Sequence, residues 1–279
     1  MITRRNALRA AVAATALAGG SAARAAQPPT LRIAVVPFLS PAVMLAAFRP
    51  LREHLVRELG RTVELYTARS FAALLTQIQH APDELTLIAA HIARLAQLDW
   101  GYTPLAATLE QTMAQLLVRA DNGWADAQAL RGRTLGVLDR RALPAVITMN
   151  WLSARGLEAE RDYRIAVQSS ADSGLHALAR GSIDALALAA SQLQVLPPST
   201  PRGERVLADT GTMPGPVYIA RPGLRADDAE RLRTALLRFV PDPAAPETAI
   251  NTRLRAPAPA ELAALDVFLP RLRREMART

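Results

Sequence analysis

The sequence predicts an α/β protein of two similar lobes joined by two crossovers, with a C-terminal helical tail. Strand-length apolar runs alternate with helical patterns, which marks βαβ units and parallel sheet. The alternation is stated twice in the same order. Pro41-Ala42-Val43 opens a helix and returns as Pro144-Ala145-Val146, a spacing of 144 − 41 = 103 positions. Asp83 precedes an apolar run and returns as Asp184, a spacing of 184 − 83 = 101. Ligands of open α/β sheets bind outside the carboxyl ends of the strands. Two such lobes facing each other enclose a cleft suited to a small molecule.

Residues 31–36 read as the first strand. A helix follows over 42–59, with Ser40 as N-cap, Pro41 at the first helical position and Gly60 as its stop. Strand 62–66, helix 71–80 capped by Ser70, strand 85–89, a short helix over 92–98 and strands 105–109 and 115–118 complete the first lobe. Arg119-Ala120-Asp121-Asn122-Gly123 is turn-rich and reads as the first crossover. The second lobe runs through strand 134–138, helix 144–155 ended by Gly156, strand 163–167, helix 173–180 and strand 183–188. Pro197-Pro198-Ser199-Thr200-Pro201 reads as a surface loop. Strand 217–220 follows the return crossover. Helices 227–239 and 259–276 form a tail that packs back on the first lobe. The first lobe is thus assigned residues 27–118 and 217–279, and the second 119–216.

Residues 1–26 read as an export signal outside the fold. Thr3-Arg4-Arg5-Asn6-Ala7-Leu8-Arg9 resembles a twin-arginine signal, with Ala7 where Phe is usual. A weakly apolar stretch over 11–19 precedes Ala23-Arg24-Ala25, an A-x-A cleavage pattern. The stretch is shorter than the ~20 residues a membrane span needs. The expectation is a protein exported to the periplasm, either cleaved near Ala25-Ala26 or held by its uncleaved signal.

The chain has no lysine, so all 33 basic residues are arginine, and it has no cysteine. Arg4, Arg5, Arg9 and Arg24 belong to the signal, which lowers the formal charge from +8 to 8 − 4 = +4. The excess is mild and dispersed, which argues against nucleic acid as a partner, since that requires a basic face or stripe. Catalytic signals are poor. His54, His80, His91 and His176 lack metal-ligand spacing, and no G-x-S-x-G, Walker A or G-x-G-x-x-G motif occurs. An enzyme is not expected, nor a cofactor or metal.

Val35-Val36-Pro37-Phe38-Leu39-Ser40-Pro41, then Pro50-Leu51-Arg52, then the run from Leu59-Gly60 to Thr67-Ala68 resemble the PhnD-like family. These are phosphate, phosphite and phosphonate solute-binding proteins of ABC transporters. Leu130-Arg131-Gly132-Arg133-Thr134 and Arg180-Gly181-Ser182-Ile183-Asp184-Ala185 are similar to further stretches of it. The resemblance covers about residues 31–225 and implies a type II periplasmic-binding-protein fold with the ligand between the lobes. It also implies where this chain departs. Family members hold the phosphoryl group with a Ser/Thr-Ser-Gly stretch at the first helix of the second lobe. Here that loop is Asp139-Arg140-Arg141-Ala142-Leu143. A Ser-His pair common after the next strand is here Ser169-Ser170-Ala171-Asp172.

Helix N-termini bind anions through unpaired N–H groups and a partial positive charge. Three loops are expected to bring such termini to the cleft: 37–41, 139–144 and 169–173. Within them Arg140 and Arg141 offer bidentate bonds to an anion, or else face solvent. Ser40, Ser169 and Ser170 are ligand contacts or caps. His91, just after a strand, is a ligand contact or a buried residue satisfied by backbone. Tyr66 is placed at the mouth. Asp184 accepts from a ligand amine or from a backbone N–H. The expected role is a solute-binding protein delivering a small anion to an ABC permease, acting as a monomer. The alternative is the same fold used as a sensor for a membrane partner such as a histidine kinase.

Overall fold

Strands buried on both faces organise the chain into two sheets, as parallel strands covered by helices require. The computed structural model describes residues 30–37, 41–196, 198–244 and 251–277. β1 (Leu31–Val35) is buried at all but one position and opens the first sheet. The helix expected over 42–59 is two helices, α1 (Pro41–Ala47) and α2 (Arg49–Leu59). Pro50 is the cause. It has no N–H to donate to the preceding turn, but it is tolerated at the start of a new helix. Gly60 ends α2 with φ 62°, a left-handed conformation that glycine adopts without penalty.

β2 (Val63–Thr67), α3 (Phe71–His80), β3 (Leu85–Ile88), α4 (Ala90–Asp99) and β4 (Thr103–Thr108) continue the lobe. The second sheet takes β5 (Gln111–Arg119), β6 (Thr134–Val137), β7 (Arg164–Val167), β8 (Ala185–Ala189) and β9 (Glu204–Pro214). Its helices are α5 (Leu143–Ser153), α6 (Ala171–Ala179) and the short α7 (Ala190–Gln194). The chain then returns through β10 (Val217–Ala220), α8 (Ala226–Leu237) and β11 (Leu254–Arg255). The tail expected as one helix over 259–276 is α9 (Pro259–Ala263), a 3-10 segment (Ala264–Phe268) and α10 (Leu269–Met276). Pro270 again lies at the start of the second helix.

The first sheet has the order β11-β4-β10-β3-β1-β2, and the second β7-β6-β8-β5-β9. In both, a parallel core is flanked by antiparallel strands: β2-β1-β3 in the first, β7-β6-β8 in the second. The doubled pattern of the sequence is therefore a real repeat of three parallel strands. This is the type II periplasmic-binding-protein fold.

The first passage between the sheets lies earlier than expected. β5 pairs along its whole length with β9 in the second sheet, so the chain crosses at Leu109–Glu110 and not at 119–123. The first lobe accordingly ends before residue 111. β9, 11 residues long, was missed altogether. It carries Arg205, Asp209 and Gly211 at the open edge of the sheet, so it lacks the apolar alternation that flags a strand. The tail does pack on the first lobe: Leu262, Leu265, Phe268, Leu269 and Leu272 share a core with Leu74, Ile78, Ile92 and Leu95.

The two passages run side by side. The Thr108 N–H donates to the Pro216 carbonyl at 3.0 Å. A Cβ on Gly215 would lie 2.1 Å from Thr108 Oγ1 and 2.2 Å from the Glu110 carbonyl oxygen. Gly→Ala commonly stabilises by ~0.4–1 kcal/mol where the backbone permits it. At Gly215 the opposite is expected, a loss of about 1–3 kcal/mol from overpacking, read as a lower urea midpoint. An unchanged midpoint for Gly215→Ala would show that the passages part without cost.

Candidate functional site: the cavity between the lobes

The carboxyl ends of β1, β3, β6 and β8 all reach one cavity. Val36, Pro37 and Ala89 line it from the first sheet, and Leu138 and Ala189 from the second. Phe71, Leu143 and Pro144 add the starts of α3 and α5, and Thr112 and Pro216 come from the crossing strands. The cavity measures about 80 Å³. By the same measure one water takes roughly 10–15 Å³, so the space suits a compact ligand of a few heavy atoms.

Among the described residues no ionisable side chain lines this cavity, and the polar side chains that do are Thr112, Ser191 and Gln192. Thr112 and Gln192 are each only 8% exposed. The Gln192 Oε1 accepts from the Ala189 N–H at 2.8 Å. That bond fixes the amide orientation, and Nε2 has no partner among the described residues. The helix starts are capped in different ways, and that of α3, whose Phe71 lines the cavity, carries a side-chain cap. Ser70 accepts from the Ala73 N–H at the start of α3. Ser170 and Ser173 form a reciprocal capping box at the start of α6. The N-caps of α4 and α5 are Ala89 and Ala142, which have no side chain to accept from the first turn. Both alanines border the cavity.

A family model described as the periplasmic substrate-binding protein of phosphonate ABC transporters matches residues 33–262. This chain belongs to that family. The family is made of binding components of transporters, and the role places its members in the periplasm. No curated sequence shows significant similarity to the chain. Among solved structures, PhnD1 from Prochlorococcus marinus in complex with methylphosphonate is 12% identical with a TM-score of 0.73, covering 90% of this chain and 99% of that one. The binding protein component of an ABC phosphonate transporter from Pseudomonas aeruginosa is 15% identical with a TM-score of 0.70, covering 90% and 98%. The periplasmic aliphatic sulphonate binding protein SsuA from Escherichia coli is 16% identical with a TM-score of 0.61, covering 88% of each chain. At these identities the likenesses establish the fold.

Against this cavity, the residues singled out in the sequence fall as follows. Ser40 lies outside the described residues. Arg140 pairs with Glu160 at the surface of the second lobe. Arg141 turns back on its own loop: its Nε and Nη2 donate to the two Asp139 oxygens at 2.9 and 3.0 Å. Asp139, and more weakly Glu275 of α10, hold this guanidinium's pKa above its ordinary value. Ser170 caps α6, and the Ser169 hydroxyl donates to Ser173 Oγ at 3.0 Å. The Tyr66 hydroxyl donates to Asp83 and accepts from Gln77, so it points back along the sheet. Burial pushes the Asp83 carboxyl upward, against the opposing pull of Arg32. Asp184 accepts from the Thr134 N–H at 2.9 Å. It precedes its strand and so sits at the amino ends, away from the cavity. Of these seven described side chains, Arg141 feels Glu275 of α10 across the lobes, and His91, taken next, bonds across them.

His91 is fully buried, and its Nε2–H donates to the Arg141 carbonyl oxygen at 2.7 Å. The bond joins α4 of the first lobe to the loop before α5 of the second. Arg271 of α10 makes a second tie, donating to Asn150 Oδ1 at 2.8 Å. The polar residues at the cavity escaped sequence reading because a Thr, a Ser and a Gln carry no motif. The starts of α4 and α7 correspond at Ala90 and Ala190, a spacing of 190 − 90 = 100, so Ser191 is the counterpart of His91 and Gln192 of Ile92.

Burial holds the His91 pKa down to about 4, the Arg141 carbonyl opposing this only in part. An unfolded histidine titrates near 6.5. The folded pKa is thus depressed, and the unfolded state takes up the proton first as pH falls. Stability from this source is complete above about 6.5 and is lost progressively toward pH 4. His91→Gln retains an N–H for the carbonyl without a titrating ring, so it should flatten the fall in urea-unfolding stability over that window. An equal slope in the variant would remove His91 as its cause.

Proposed function

We propose that the protein captures a compact anion of the phosphonate or sulfonate class in the cavity between its lobes and delivers it to an ABC permease. The observation that carries this is the pair of helix starts without side-chain caps, α4 and α5, meeting from opposite lobes at the carboxyl ends of both parallel sets. A helix N-terminus favours negative charge through its free amides and dipole. The partnerless Gln192 amide on the same cavity adds a buried donor. Arg140 and Arg141 are outside the proposed ligand set, because Glu160 and Asp139 already engage them. The family's hydroxyl-rich phosphoryl loop is absent here, so main-chain and neutral side-chain donors take its place. The His91 and Arg271 ties support a closed arrangement in which the ligand is enclosed, and hinge motion about the passages admits it.

Ligand binding to the native state raises apparent stability, by about 2.7 kcal/mol at a hundredfold excess over Kd. A thermal-shift series with methylphosphonate, ethanesulfonate, inorganic phosphate and a neutral amide control tests this reading. One or more of the anions should raise the melting temperature while the control does not. No shift with any anion at millimolar concentration would defeat the assignment.

We further propose export through the twin-arginine route, on the strength of Arg4-Arg5 and the Ala23-Arg24-Ala25 pattern; residues 1–29 lie outside the described structure. Replacing both arginines with Gln should leave the precursor in the cytoplasm in a fractionation assay. Normal periplasmic recovery of that variant would exclude the route.

A further inference from the structure

We infer that Gln192, with Thr112 and Ser191, forms a neutral donor wall that makes the site selective for small oxyanions bearing an apolar group and no amine. The inference rests on the reading that the cavity binds an anion, and it specifies which anions.

The wall is built, not incidental. Gln192 borders the cavity, is nine-tenths buried, and has its oxygen committed to the Ala189 N–H. Its nitrogen is left with two protons and no partner among the described residues. Thr112 is equally buried on the same cavity, and its hydroxyl likewise has no partner among those residues. Ala114 of β5 pairs with Ala189 of β8 in antiparallel register. Thr112 precedes that pair on β5, Ser191 and Gln192 follow it in the first turn of α7, and all three line the cavity. Buried polar groups are almost always hydrogen-bonded, and an unpaired one is unfavourable. Water or the oxygens of a ligand are the partners that such a wall requires.

The rest of the cavity settles the ligand's other end. Val36, Phe71, Leu138 and Leu143 present hydrocarbon. No Asp or Glu among the described residues lines the space, so a ligand ammonium would lose its hydration with no carboxylate among them to meet it. A site that lacks an acceptor for a charged group rejects the ligand carrying it. An alkylphosphonate or alkylsulfonate satisfies both ends, whereas an aminoalkyl phosphonate satisfies only one.

Isothermal titration of the purified protein with ethylphosphonate and 2-aminoethylphosphonate, at one pH and salt concentration, tests the inference. The wild type should prefer ethylphosphonate at least tenfold. Gln192→Glu keeps an acceptor for the Ala189 N–H but replaces the donor with a negative oxygen. It should weaken ethylphosphonate at least tenfold and narrow or reverse the preference. Gln192→Met removes the donor without adding charge. It should weaken both ligands, and it decides the question if the Glu variant fails to fold. Ethylphosphonate bound equally by the wild type and a folded variant would overturn the donor role while the cavity reading stands. A wild type that binds the amino compound as tightly would overturn the charge selection. Binding of neither compound, in a protein whose melting temperature responds to other anions, would overturn this inference alone. With no response to any anion, the cavity reading falls with it.

Discussion

Two extended segments pass side by side from one sheet to the other, and the position of everything else follows from that crossing. The Thr108 N–H bonds to the Pro216 carbonyl. Gly215 lies so close to Thr108 and Glu110 that no side chain fits. Because β4–β5 and β9–β10 each run through the crossing, the two antiparallel pairs fix how each parallel set is presented to the other. The carboxyl ends of both sets face one space. Loops after parallel strands start the helices, so helix N-termini gather there as well. The cavity is thus a consequence of strand polarity, and its lining is drawn from segments as far as 216 − 36 = 180 positions apart.

The interior of this cavity is electrostatically unusual for a chain so rich in arginine. None of the arginines among the described residues lines it. Those nearest are paired: Arg141 with Asp139, Arg140 with Glu160. Others pair at the surface or fasten the tail, as Arg94 does to Asp266 and Arg273 to Asp99. A buried guanidinium without a partner would be strongly disfavoured, and the Asp139 carboxylate meets that need locally. Among the described residues, what remains at the cavity is a set of dipoles: amides at the starts of α4 and α5, the Gln192 amide and two hydroxyls. Fixed dipoles in a water-poor site stabilise an anion with no mobile charge to reorganise.

Membership in the phosphonate-binding family is shown by the match over residues 33–262, yet this chain organises its second lobe differently at the phosphoryl loop. The loop that the sequence resemblance sets against hydroxyls and glycine holds an Asp139–Arg141 ion pair here, and its backbone serves another purpose. The Arg141 carbonyl takes the His91 N–H from the opposite lobe. The same short segment therefore supplies a tie between lobes and, at Ala142, a helix start on the cavity. On the proposed function, a ligand at α5 would bear directly on the bond that joins the lobes.

The sequence by itself determined the fold class, because periodicity and punctuation are local. Leu31–Val35 reads as a strand and Phe71–His80 as a helix from spacing and a Ser cap alone, and the 101-residue spacing of Asp83 and Asp184 revealed the repeat. It also determined the family, through segments that keep their order. Tertiary structure decided what local patterns do not encode. β9 has no apolar alternation and exists because β5 offers it a hydrogen-bonding edge. Arg140 and Arg141 have the right chemistry in the right loop, but the nearest carboxylates engage them first, since a charge pairs with what lies within a few ångströms. Gln192 is one of many glutamines in sequence. Only the fold buries it, commits its oxygen to Ala189 and leaves its nitrogen facing a cavity assembled from both halves of the chain.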